Sequence, residues 1–422
     1  MTRPDSFLAP SLARLWPWSL FAAMIAAAGL PIYINAPKFY TETYGVPLAS
    51  LGLTLAALRL IDVVQDPVLG WLADAQRRAR GLWVWVATVI MALAMFGLFA
   101  VPPPFAPLIW FALMMVGLFS AFSFLTIVFY AQGVAHSAHL GAGGHLRLAG
   151  WRETGSLLGV CTAAIAPTLL ARVTDQPLTG FAIGFVAFAL MATLSMRGNW
   201  RPGPPRPASP SIRRMILPVW GDPLARRLLI LSLVNSAPVA ITSTLFLFYV
   251  ESVLKMPELS GVILLLFFLS AALSAPIWSR LGRQIGEKRV LAAGMSLSIL
   301  AFFWATFLGV GDALPFVVIS TLSGAALGAD MVLLPALFAR RLSELAAASE
   351  SFGFGLWSFV SKLCLALAAA ILLPALQSAG FSTTGPNTPA ALGLLALLYA
   401  ALPCGLKLIS LGLLWSIPIE RA

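Results

Sequence analysis

Two aspartates, Asp62 and Asp66, stand four residues apart in a run, 48–74, that is otherwise mostly apolar. On a helix that spacing puts both carboxylates on one face, about 6 Å apart, where they repel. Such a pair either holds a cation or keeps a proton on one member. In both cases the charge of the site depends on what is bound. Arg59, three residues before Asp62, offers a plainer reading, a structural ion pair. Ionisable side chains inside a membrane are costly and face a bundle interior or a water-filled cavity. That favours cation coupling at Asp62 and Asp66, with sodium or a proton as the ion.

Lys362 lies mid-span among Phe359, Val360, Leu363 and Leu365. A lone ammonium there needs a partner, and the acidic pair is the natural one if two halves of the chain face each other. A cation arriving at Asp62 and Asp66 would then compete with Lys362. The plainer reading is snorkelling to an interface. Arg152 and Glu153 open another span. The planar guanidinium can grip hydroxyls or a carboxylate, or it can anchor the helix end beside its neighbour. Asp330 follows the small-residue run Gly324 to Ala329, which lets helices approach closely. It reads as a substrate or gate contact, or as a carboxylate capped by backbone. Lys407, in the last span, is expected to snorkel. Asp74 with Arg77 and Arg78 reads as a salt-bridge cluster at a gate. His136, His139 and His145 share one loop, but no Cys or acid beside them completes a metal set, and they read as ordinary loop histidines.

These groups sit in an unusual chain. Of 422 residues, 59% are hydrophobic and only 10% charged, against about 25% charged in a soluble domain. Mean hydropathy is +0.91, which excludes a soluble enzyme, a nucleic-acid-binding module and a disordered scaffold. The net charge of +11 reads as membrane anchoring and not as a nucleic-acid footprint. No Walker, H-E-x-x-H, G-x-S-x-G or dinucleotide glycine pattern occurs. Nothing therefore points to an enzyme, an ATP-driven pump or a cofactor other than the coupling ion. The three cysteines lie in apolar stretches and suggest no disulfide framework.

A spanning helix takes about 20 mostly apolar residues. Such runs fall at 15–36, 48–74, 82–101, 106–134, 152–171, 180–197, 228–250, 258–280, 289–310, 314–338, 352–376 and 390–418. The first has no small-residue cleavage site behind it and reads as a helix that is kept. The expected fold is all-α and polytopic, with twelve transmembrane helices in two six-helix bundles. Of the 27 basic residues, 21 fall in alternate breaks, three in the opposite breaks and three inside spans. The positive-inside rule then puts both termini in the cytoplasm. The division is 1–197 for the first bundle, 198–227 for a Pro- and Arg-rich cytoplasmic linker, and 228–422 for the second bundle. Pro67 to Arg78 and Pro276 to Arg289 leave corresponding helices of the two halves as matching basic loops. Two matching bundles suggest halves that rock about a midplane site.

Gly70-x-x-x-Asp74 followed by Arg77, Arg78 and Arg80 resembles the loop motif of the major facilitator superfamily. The stretch from Arg59 to Asp74, RLIDVVQDPVLGWLAD, resembles more narrowly the second helix of the glycoside–pentoside–hexuronide:cation symporters, the melibiose permease group. Glu350-Ser351 with Lys362 twelve residues after the Glu resembles that family's eleventh helix. Tyr40-Thr41 with Gly45, and Arg152, also fit. The resemblance implies that Asp62, Asp66, Ser123 and Gln65 form a cation site with Lys362 beside it. It implies that Arg152 lies near the substrate. Gln65 stands where sodium-coupled members usually carry Asn. The family's two sugar-binding acids fall at Ala26 and Thr126, and Tyr130 replaces a Trp.

The resemblance therefore implies a secondary active transporter, monomeric, in the cell (inner) membrane. It would carry a sugar, glycoside or hexuronide with a proton or sodium by alternating access. Arg152, Thr126, Tyr130, Ala26, Trp357 and Ser358 are the expected substrate residues. The losses at Ala26 and Thr126 favour an anionic hexuronide over a neutral galactoside. Gln65, one methylene longer than Asn, favours a proton over sodium. An amphiphilic, lysolipid-like substrate is the alternative, because Phe122, Phe124, Trp357 and Phe359 make the expected cavity apolar. A non-transporting sensor or assembly factor is a further one, although it would be expected to lose the charges this chain keeps.

Overall fold

A computed structural model describes residues 15–200, 212–345, 349–382 and 387–418. Arg3, Arg14, Arg201, Arg206 and Arg421, which entered the charge count above, lie outside the described residues, as does most of the Pro-rich stretch of the linker. Fifteen α-helices are seen among the described residues, and no strand. The first half holds α1 (Trp16–Ala27), α2 (Leu30–Tyr44), α3 (Leu48–Ala75), α4 (Arg80–Phe99), α5 (Pro107–Ser137), α6 (Gly144–Leu170) and α7 (Pro177–Met196). Then come α8 (Ile212–Gly221), α9 (Pro223–Phe248), α10 (Ser260–Ile285), α11 (Glu287–Phe303), α12 (Ala313–Glu344), α13 (Glu350–Ser378), α14 (Pro389–Ala396) and α15 (Leu402–Ser416). Ten helical runs among the described residues are long and apolar enough to cross a membrane. The charged α3 is not among these ten, but at 28 residues it is about 42 Å long, more than the ~30 Å hydrocarbon core.

Several boundaries shift by a turn or more; α6 begins at Gly144 and not near 152, so Arg152 and Glu153 lie inside it and do not open the span. Two further differences matter here, and proline explains the first. The opening run does not form one helix. It breaks at Gly29, and α2 restarts with Pro31 in its first turn, where the missing N–H is harmless. Gly45 in the left-handed region, φ 65°, ends α2 and hydrogen-bonds back to Thr41. The second difference lies within 198–227. Ile212–Gly221 is helical, and Asp222 then caps α9 by accepting from Ala225 N at 2.7 Å.

Each half has its own core. Trp18, Phe21, Met24, Tyr40, Phe111 and Phe129 fill the first. The second has one around Tyr249, Phe316 and Tyr399, and another around Met295, Leu333, Phe338 and Phe354 that also takes in Val134, Leu146 and Ala149 of the first half. The halves meet most extensively along two crossings, α3 on α13 and α6 on α10, with α5 and α6 also touching α12 and α5 touching α13. Each of the two crossings joins the second span of one half to the fifth of the other, as a pseudo-two-fold relation between bundles requires. Small residues set the approach at the first crossing. A Cβ at Gly70 would lie 2.8 Å from Ser351 O, and one at Gly355 would lie 2.8 Å from Asp66 O. At the second, Ser279 Oγ donates to Leu146 O at 2.8 Å across the halves.

Candidate functional site

The close α3–α13 crossing delivers Lys362 to the acidic pair. Its ammonium donates to Asp62 Oδ1 at 2.7 Å, to Asp66 Oδ1 at 3.0 Å and to Ser123 Oγ at 2.6 Å. An ammonium has three hydrogens, so all three are engaged. Asp66 Oδ2 lies 2.8 Å from the same nitrogen. Asp66 is fully buried and Asp62 nearly so. Ser123 Oγ donates to Asp62 Oδ1 at 2.9 Å, and Gln65 Nε2 donates to it at 3.1 Å. The Gln65 oxygen is turned the other way and accepts from Ser120 at 3.0 Å. Ser358, expected at the substrate, instead lies one helical turn before Lys362 and close to Asp66. The cluster therefore joins three helices, α3 and α5 of one half and α13 of the other. The side chain of Arg59 lies outside the described residues.

A second cluster lies along α5. Ser123, Thr126 and Tyr130 share one face at spacings of three and seven residues, so Tyr130 is about 10 Å along the axis from Ser123. Arg152 stacks over the Tyr130 ring with its Cζ 3.6 Å from the centroid. Arg152 Nε donates to Glu153 Oε1 at 2.7 Å, and Tyr130 OH donates to the same oxygen at 2.8 Å. Arg152 Nη2 is buried with no hydrogen-bond partner among the described residues. A buried donor left unpaired costs about 1–3 kcal/mol. The Thr126 hydroxyl is spent on Phe122 O at 2.8 Å. Ala26 is buried in α1. Trp357 packs on Phe338, centroids 5.0 Å apart, and Phe338 continues through Phe354 to Tyr130.

At the basic end of the α3–α13 crossing, Arg77 Nε lies 3.6 Å from Asp74 Oδ1 and Arg77 Nη2 donates to Glu350. Asp74 and Arg77 thus form the expected cluster, with a partner from the other half. Arg78 is not part of it. That side chain is exposed, and Arg80 is the one that turns inward, donating to Gln132 Oε1 at 2.6 Å. The reason is the short 3₁₀ turn Arg77–Ala79, which changes which side of the chain faces the core. In the sequence Glu350 serves only as a landmark. Ser120 carries a signal there that is easily missed, a spacing of three from Ser123 that marks the same face.

The largest correction concerns Lys407. It does not snorkel. It is 3% exposed, donates to Asn235 Oδ1 at 2.7 Å and pairs with Asp330. Asp330, read as a substrate or gate contact, is instead half of an ion pair tying α12 to α15, with α9 supplying the amide. The three histidines do not share one loop: His136 lies in α5, His139 in a short 3₁₀ turn, and His145 in the first turn of α6, where its Nδ1 is 2.7 Å from Ser137 Oγ.

Comparison with known proteins gives the same architecture. The family described as MFS/sugar transport protein matches residues 18–421, and the chain belongs to that family. The inner membrane symporter YicJ of Escherichia coli (strain K12) is 24% identical over 236 residues, 52% of this chain and 50% of that protein. The chain's likeness therefore spans about half the length of this curated relative. Among solved structures, the human organic anion transporter MFSD10 (TETRAN) matches with a TM-score of 0.66 and 17% identity, over 95% of this chain and 98% of that one. A bacterial homologue of the iron transporter ferroportin, outward-facing, matches at 0.65 and 14%, over 96% and 99%. At such identities these likenesses show the shared fold. The chain is thus a multi-pass membrane protein of the MFS/sugar transport family, with the major facilitator fold.

Proposed function

We propose that this member of the MFS/sugar transport family is a cation-coupled symporter of a hexuronide or related glycoside, working by alternating access in the inner membrane. One observation carries the reading: Lys362 of one half shares its ammonium between Asp62 and Asp66 of the other. A cation or proton on Asp66 neutralises one of the two carboxylates that hold Lys362, and so weakens the tie across the α3–α13 crossing. The charge at the site and the packing of the halves then change together, which is what coupling requires. The relative YicJ is itself named a symporter.

The ion we assign is the proton. Sodium binding at this site would draw on an amide oxygen, and Gln65 offers Asp62 its N–H and gives its oxygen to Ser120. The substrate class rests on Arg152, whose Nη2 is buried without a hydrogen-bond partner among the described residues. A carboxylate-bearing sugar supplies two acceptors in the geometry of the guanidinium fork. An amphiphile with an anionic head is the second reading, supported by the aromatic run Tyr130, Phe354, Phe338 and Trp357. Uptake of labelled glucuronide into proteoliposomes tests both points. An imposed inward proton gradient should drive accumulation, and a sodium gradient at constant pH should not. Accumulation that follows sodium and survives collapse of the proton gradient overturns the ion assignment. Binding of lysophosphatidylglycerol without any glucuronide uptake favours the amphiphile.

A further inference from the structure

Beside the α6–α10 crossing, at the end of the molecule rich in arginine, lies a cavity of about 650 Å³. Its wall is cationic: Arg283, Lys288, Arg289 and Arg340, with Glu287 as the acid among them. Two of the cations are already engaged. Arg340 pairs with Glu287 at 2.9 Å, and Lys288 donates to Trp415 O and Ile417 O, closing the end of α15. Arg283 and Arg289 are exposed, and no carboxylate among the described residues pairs with either. Arg283 also lies within electrostatic reach of Arg280 on its own helix and of Arg147 on α6. Those two likewise lack a carboxylate among the described residues. Arg147 belongs to one half of the transporter, and Arg280 and Arg283 to the other. Like charge therefore faces like charge across a crossing that packing and the Ser279–Leu146 hydrogen bond hold shut.

An arrangement of this kind calls for an anion that touches both sides. The rim of the cavity says which. Ile285 is 53% exposed and Trp415 is 58% exposed, and both line the cavity. They stand at helix ends, where tryptophan marks the membrane–water boundary. A small soluble anion would leave this apolar rim bare. A lipid phosphodiester would meet the guanidinium groups through paired charge-assisted hydrogen bonds, with its acyl chain along Ile285 and Trp415. We propose that this cavity binds the head group of an anionic phospholipid, which bridges the two halves and stabilises the arrangement closed at the basic end. The site is separate from Asp62, Asp66, Lys362 and Arg152, and it does not depend on the identity of the transported solute.

The test uses the full-length protein in mixed micelles. Thermal unfolding is followed while dioleoylphosphatidylglycerol, dioleoylphosphatidylcholine or inorganic phosphate is titrated in. Phosphatidylglycerol should raise Tm saturably, and the other two should not. A basic residue near an anionic membrane surface contributes about 1 kcal/mol, so Arg283→Gln with Arg289→Gln should raise the half-saturating phosphatidylglycerol about 30-fold. Arg283→Lys, which keeps the charge, should stay close to wild type. Arg172→Gln, at an exposed position on the opposite side, should not change the titration. Should the double variant fail to fold, single Arg283→Gln against Arg283→Lys makes the same comparison. An unchanged titration in the glutamine variants overturns the proposal. So does equal weakening by Arg172→Gln, which would mean a general bilayer effect, or full reproduction of the shift by inorganic phosphate.

Discussion

Lys362 spends its ammonium on two carboxylates and a hydroxyl, and the sequence alone marks this residue out. A lysine and two aspartates within apolar runs stand out because the bilayer penalises each of them. The partners that tune the site are harder to read. Gln65 and Ser123 emerge through family resemblance, and Ser120 and Ser358 join the cluster only in three dimensions, because hydroxyls are common in helices and their spacing alone assigns no role. Arg152 is the residue on which the substrate proposal rests. Arg152→Ala should abolish glucuronide binding in a thermal-shift or equilibrium-binding assay. Arg152→Lys should not restore it, because a point charge cannot reproduce the planar fork. Retained binding in Arg152→Ala, or tight melibiose binding in that variant, would contradict the assignment.

Helices are readable one at a time from the sequence, and their faces are not. Long apolar runs mark the spans and their order. A hydropathy run, however, says little about which side of a helix looks inward. That is why Lys407 is expected at an interface, whereas it lies on the inner face of α15 against Asp330 of α12 and Asn235 of α9. The 3₁₀ turn that exchanges Arg78 for Arg80 is a local version of the same problem. Breaking one side of a buried ion pair costs about 3–5 kcal/mol, because the remaining charge stays buried. Lys407→Met should therefore lower thermal stability by an amount of that order, and adding Asp330→Asn should recover part of it. A Lys407→Met protein as stable as wild type would mean that the lysine reaches water after all.

At the scale of the whole molecule, the two crossings relate the halves reciprocally, and the tie through Lys362 is ionic. The matching loops after Pro67 and Pro276 make the internal symmetry visible in sequence. The crossings themselves depend on glycines such as Gly70 and Gly355, whose importance shows only when the opposing backbone is known. At the basic end, Arg341 grips Asp222 through Nε at 3.0 Å and Nη2 at 2.6 Å. These hydrogen bonds hold the Asp222 carboxyl below the usual carboxylate range. A carboxyl depressed in the folded state adds stability above its unfolded pKa of about 3.9 and loses it as pH falls through the folded value. The partly exposed pair is worth about 1 kcal/mol. The Tm difference between wild type and Arg341→Gln should therefore be present at neutral pH and shrink in acid below about pH 4. A difference unchanged across that range would contradict this role. The central claim is that charge on the Asp62–Asp66–Lys362 cluster couples cation and solute movement, and one measurement addresses it most directly. Asp66→Asn is reconstituted, and glucuronide accumulation against its gradient is measured beside counterflow with no ion gradient. The account predicts that accumulation is lost while counterflow persists, because an amide cannot change its charge with cation binding. Accumulation equal to wild type would contradict it.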